Sequence, residues 1–83
     1  MMGKLKGKVC VSISQPRGCG GRITLLEMIT DAGADIISFN VPGQHRFRKG
    51  EEISVEYETH SGVNWVSRYE IPSEKYSCII GNE

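Results

Sequence analysis

The sequence predicts an α+β domain, a small two-layer ferredoxin-like sandwich of order β-α-β-β-(α or β)-β. Three observations point there. The run VCVSIS alternates apolar and small polar residues, RITLLEMITDAG carries apolar residues at three-and-four spacing, and EISVEYET alternates again. A small all-β barrel of OB or SH3-like type is the alternative, and it depends on whether residues 22–32 form a strand instead of a helix.

The elements follow in order. Val9, Val11 and Ile13 alternate with Cys10, Ser12 and Ser14, the two-residue period of a half-buried strand. The loop QPRGCGGR, residues 15–22, comes next. Ile23, Leu25, Leu26, Met28, Ile29 and Ala32 then trace one helical face. Thr24 and Glu27 have capping-box spacing, and Gly33 is placed to end the helix in a left-handed conformation. RITLLEMIT is also rich in β-branched residues, so a strand stays open. In ADIISFNV, residues 34–41, Ile37, Phe39 and Val41 share one side of a strand that Pro42-Gly43 breaks. QHRFRKG is a polar loop, and Ile53, Val55 and Tyr57 point inward from the next strand. After Ser61-Gly62, residues 63–71 read either as a short helix joining Trp65 to Tyr69 or as a returning strand. The strand would set Arg68 on the side of Glu56 and Glu58. Pro72 ends either form, and KYSCII supplies a last short strand.

Composition sets bounds on what these elements do. With 83 residues the chain is one domain, 1–83, on a scale where folding buries about 60–65% of the unfolded surface, so self-association is expected. No apolar run approaches the ~20 residues that span a bilayer. The start, MMGKLKGKV, lacks the apolar block of a signal peptide, and cytoplasm is the expected location. Net charge is zero, but residues 1–50 hold eight Lys or Arg against three acids, while residues 51–83 hold two against seven. That division means either two solvated surfaces of opposite sign, or a basic face for an anion or for a second copy. Cys10, Cys19 and Cys78 show no CxxC spacing and have no histidine close in sequence, so neither a metal nor another cofactor is expected. Cys10 and Cys78 read as buried small apolar residues, and Cys19 as exposed by its loop. No nucleophile–base arrangement stands out, so no enzymatic activity is expected.

Over residues 8–41 the chain resembles the ACT regulatory domain. VCVSIS matches that family's first strand, Leu25, Leu26 and Ile29 its helix core, and Ala32, Gly33, Asp35 and Ile36 its turn into the second strand. The resemblance implies a non-catalytic regulatory module that pairs with further copies and binds a small ligand, often an amino acid, at the loop between first strand and first helix. A helix N-terminus there would offer free N–H groups and partial positive charge to a carboxylate or phosphate. Gly18, Gly20 and Gly21 would let the backbone approach, Cys19 would sit among them, and Arg17 or Arg22 would add a charge-assisted bond. The plainer alternative is that these glycines only make a tight connection. A rival reading is nucleic-acid binding, with Arg17, Arg22, His45, Arg46, Arg48 and Lys49 on one surface and Phe47, Trp65 or Tyr69 as stacking platforms. A third is a protein-binding accessory module anchored on an exposed Trp65.

Overall fold

A computed structural model describes residues 2–33 and 35–80; Met1, Ala34 (the first residue of the expected run 34–41) and residues 81–83 lie outside it. Six strands form one sheet: β1 Met2–Pro16, β2 Arg22–Thr30, β3 Ile36–Pro42, β4 Glu52–His60, β5 Val63–Ile71 and β6 Tyr76–Ile79, with a 3-10 turn at Pro72–Glu74. β1 pairs antiparallel with both β2 and β4, β2 with β3, and β4 with β5, while β3 meets β5 in parallel at Asn40 and Trp65. The ring β1-β2-β3-β5-β4 therefore closes on itself, as a five-stranded Greek-key barrel with OB-type connectivity.

The α+β sandwich is thus corrected to an all-β barrel, and the element responsible is β2. Residues 22–30 are a strand whose inward side chains are Thr24, Leu26, Met28 and Thr30. Their outward neighbours Ile23, Leu25 and Ile29 are apolar too, and adding them to the inner set creates a helical spacing that the backbone does not adopt. The Thr24–Glu27 capping box and the Gly33 helix stop are overturned with it. So is the β-α-β opening that the ACT resemblance implied, because β1, β2 and β3 form a meander.

Residues 63–71 resolve as the strand, joined to β4 by Ser61-Gly62, which take φ of 51° and 78° as a type I′ hairpin turn requires. The ladder slips between Glu56 and Tyr57, leaving Ser67 as a bulge, so Val66, Tyr69 and Ile71 all face inward. Arg68 Nη1 lies 3.5 Å from Glu56 Oε2 as the strand reading expected, but Glu58 pairs with His60.

A second irregularity lies in β1, between Val9 and Val11. Val9 is buried, yet Val11 and Ile13 are exposed, while Ser12 and Ser14 turn inward. The core comprises Val9, Leu26, Met28, Phe39, Val41, Phe47, Ile53, Val55, Val66, Tyr69 and Ile71. The opposite charges of the two halves partly meet within the chain, where β1 runs beside β4 and Lys6 Nζ lies 3.6 Å from Glu52 Oε2. Among the described residues no helix is long and apolar enough to cross a membrane.

Fully buried Thr24 fixes the segment after β3. Its hydroxyl donates to Gly43 O at 2.9 Å and accepts from His45 N–H at 3.0 Å. Thr24→Val keeps the shape and removes both bonds. We expect it to cost about 1–3 kcal/mol, the penalty of polar groups left unpaired, read as a lower urea midpoint.

Candidate functional site

QPRGCGGR is the tip of the β1–β2 hairpin. Pro16 pairs with Arg22 at its base, Arg17 N–H donates to Gly21 O at 3.1 Å, and Gly20 N–H donates to Arg17 O at 3.2 Å. Gly20 and Gly21 take φ of 96° and 75°, which excludes ordinary side chains without strain. These two glycines are thus required by a strand-to-strand turn. No helix follows the loop, so the anion site expected at a helix N-terminus loses its dipole and its free N–H row.

The loop does bring functional side chains together, though with different partners. The Arg17 guanidinium lies over the Trp65 ring, 6.0 Å from its centroid, within cation–π range. Trp65 stands half-exposed on β5 beside Asn40 of β3. Asn64 stitches this seam, donating from Nδ2 to Ser38 O at 3.1 Å while its Oδ1 accepts from the Thr59 hydroxyl at 2.7 Å. Cross-strand pairing continues the row outward from Trp65 through Asn40 and Leu25 to Ile13, so the ring joins a strip of aliphatic surface on β2 and β1.

Arg22 is held by Ser14, with Nε donating to the hydroxyl at 3.0 Å and Nη2 to the carbonyl at 3.4 Å. Beside it opens a cleft of about 570 Å3, lined by Arg17, Cys19, Gly20, Gly21 and Arg22 on one side. Pro42, Gly43, His45 and the β6 residues Cys78, Ile79 and Ile80 line the other. Gly18 lies at the hairpin tip outside this lining, with no atom near the space its side chain would fill. Cys19 is exposed as expected, whereas Cys10 and Cys78 are only half-buried.

The rest of the basic set is divided. Arg46 and Arg48 line a second cleft of about 540 Å3 with Ser12, Ser14, Glu51 and Glu74. Lys49 is exposed at the turn into β4 and lines neither cleft. Among the described residues Arg17, Arg22, Arg46, Arg48 and Lys49 take part in no salt bridge.

His45 lines both clefts but is committed internally. Its Nε2 lies 2.8 Å from Pro42 O and its Nδ1 2.9 Å from the Tyr69 hydroxyl. A carbonyl only accepts, so Nε2 carries a proton and donates to Pro42 O, and in the corresponding neutral tautomer Nδ1 accepts the Tyr69 O–H. Burial, reinforced by Cys78 and Tyr76, holds the Tyr69 phenol well above the usual tyrosine range. Phe47 and Tyr69 pack edge to face with centroids 4.8 Å apart in the core. Of the three expected stacking platforms only Trp65 is therefore offered to solvent, and both ring nitrogens of His45 have partners within the barrel.

Residues that the sequence reading missed are Ile13, Leu25 and Asn40 on the outer face and Cys78, Ile79 and Ile80 in the cleft. For Ile13 and Leu25 the signal exists only once β2 is known to be a strand, because the outward set then becomes visible as apolar. Among the described residues no group of three or more His, Cys, Asp or Glu side chains is placed to hold a metal ion. No family model, curated protein or solved structure matches the chain.

Proposed function

We propose that this barrel binds single-stranded nucleic acid across the outer face of β2, β3 and β5. The observation that carries the reading is the Arg17–Trp65 pair at the β3–β5 seam. A half-exposed indole beside a guanidinium that has no carboxylate partner among the described residues gives a base a face to stack on and its phosphate a charge to meet. OB-type barrels bind oligonucleotides on the face of strands 2 and 3 between the β1–β2 and β4–β5 loops, where Arg17 and Trp65 lie. The aliphatic residues Leu25 and Ile13 extend the platform, and Asn40 is its one hydrogen-bonding side chain between them and Trp65, so the preference is for single strands with little sequence readout.

Trp65 is the only tryptophan, so its fluorescence reports directly on the platform. Oligo-dT is expected to quench it with affinity that falls as salt rises, the log-log slope losing about 0.7 for each phosphate contact removed. Trp65→Ala should weaken binding of a labelled oligo-dT by about 5- to 150-fold, matching the ~1–3 kcal/mol of one base–aromatic stack. Arg17→Ala should reduce both affinity and slope. Binding at low salt that is indifferent to both changes, or no binding at all, refutes the reading.

A further inference from the structure

The cleft beside Arg22 has the architecture of a missing strand. β3 and β6 occupy the same edge of β5 one after the other, β3 at Trp65 and β6 from Arg68 to Ile71. β3 stops at Pro42, opposite Ile23 of β2. Beyond that point β2 and its hairpin tip face β6 across open space, and the residues lining the cleft come from these two sides. β6 ends the sheet order, so among the described residues its second edge is unpaired. The Ile80 N–H bonds to Ser67 O on β5 at 2.8 Å. Antiparallel alternation then turns the N–H and C=O of Ser77 and Ile79 toward the free edge.

This edge carries none of the devices that discourage strand addition. Residues 76–80 hold no charge, no proline and no bulge, and Tyr76 and Ile79 are 48% and 76% exposed. The chemistry of the opposite wall indicates what would add there. Arg17 and Arg22 line it, and among the described residues no acidic side chain does. An extended residue in a sheet occupies about 160 Å3, from the strand spacing, sheet depth and rise per residue, so about 570 Å3 holds three to four residues.

We infer that the cleft takes an extended peptide carrying a carboxylate. The peptide adds as a strand to β6, and its carboxylate meets Arg22 and Arg17. The backbone of Ser77 and Ile79 supplies the ladder, Pro42, Ile79 and Ile80 supply apolar contact, and the arginines fix direction. Because Arg17 also serves the Trp65 platform, peptide and oligonucleotide compete in part for one side chain. The inference stands apart from the nucleic-acid reading, since the ladder at β6 does not involve Trp65.

The test uses a synthetic array of Thr/Val-rich pentapeptides in three forms: free carboxyl end, amidated end with one internal Glu, and amidated end with no carboxylate. Binding is followed by amide NMR shifts. Carboxylate-bearing peptides are expected to shift Ser77 to Ile80 and Gly20 to Arg22, at least tenfold more tightly than the carboxylate-free set. The first two forms separate a terminal from a side-chain carboxylate as the source. Arg22→Ala should cost tenfold or more. Ile79→Pro removes an outward N–H at an edge position that tolerates proline and should abolish binding, with unchanged β1–β4 signals confirming the fold. Trp65→Ala should weaken oligo-dT while carboxylate-bearing peptides still shift Ser77 to Ile80. The inference is overturned if no peptide binds, if the carboxylate-free form binds equally, if Ile79→Pro still binds, or if oligo-dT alone shifts Ser77 to Ile80.

Discussion

Gly7→Val is expected to give a chain that does not fold at 25 °C. A Cβ at Gly7 would stand 2.1 Å from Ile29 O and 2.9 Å from both Ile29 C and Thr30 Cα. These are backbone atoms, so no rotamer change relieves the clash. Gly7 is also where β1 passes from one partner to the other, pairing with Ile53 of β4 and with Thr30 of β2. Making room there pries β2 off the strand that holds the barrel together. Ordinary overpacking costs about 1–3 kcal/mol, and a clash against fixed backbone exceeds it. A domain of this size has only about 4–12 kcal/mol in total. Far-UV circular dichroism and amide dispersion read the outcome. Gly18→Ala is the control, since nothing lies within 4 Å of its added carbon and it should be nearly silent. A Gly7→Val barrel with a wild-type urea midpoint would show that the strands do not cross this closely.

Phe39→Ala is expected to cost about 3–5 kcal/mol, the usual range for deleting a buried aromatic ring. Phe39 is 1% exposed and stands edge-on to Tyr57, with centroids 5.1 Å apart and planes at 70°. Its neighbours in the core are strand residues whose backbones are fixed by ladders on two sides, so the site cannot collapse to fill the void. Urea unfolding is the measurement. With a slope near 1 kcal/mol per molar for a chain this short, the midpoint should fall by several molar or the protein should be unfolded outright. Ser38→Ala, on the same strand but facing outward, should stay within about 0.5 kcal/mol. A Phe39→Ala loss below 1 kcal/mol would place the ring outside the core.

Where one face is apolar and the other polar, the strands are legible in the sequence. β4 reads correctly because Ile53, Val55 and Tyr57 are separated by Ser54, Glu56 and Glu58, and Pro42-Gly43 marks the end of β3 as it should. β2 is hidden by its apolar exterior. Its core positions include Thr24 and Thr30, polar residues that a pattern search discounts, and its outer positions include Ile23, Leu25 and Ile29. Two polar residues inside and three apolar residues outside thus mislead together, and the sum imitates a helix. β5 was obscured by the Ser67 bulge, which breaks the period of two in mid-strand. The site fared likewise. Arg17, Arg22 and Trp65 were visible as residue types, but only the closed ring shows that a hairpin tip reaches a ring 48 positions away. Nothing local marks His45 as internally bonded or Phe47 as buried, because QHRFRKG is polar on average and folds inward through two aromatic side chains.

The irregularity at Cys10 splits β1 into two reading frames. Before it, odd-numbered residues face the interior; after it, even-numbered ones do. Residues 11, 13 and 15 are thereby released from the packing constraints that bind residues 7 and 9. Substitutions at Val11 and Gln15 therefore change the surface of the hairpin without altering what fills the interior, whereas those at Gly7 and Val9 do not have that freedom. A single irregular position thus divides one strand into a half whose odd-numbered residues are packed and a half whose odd-numbered residues are solvated.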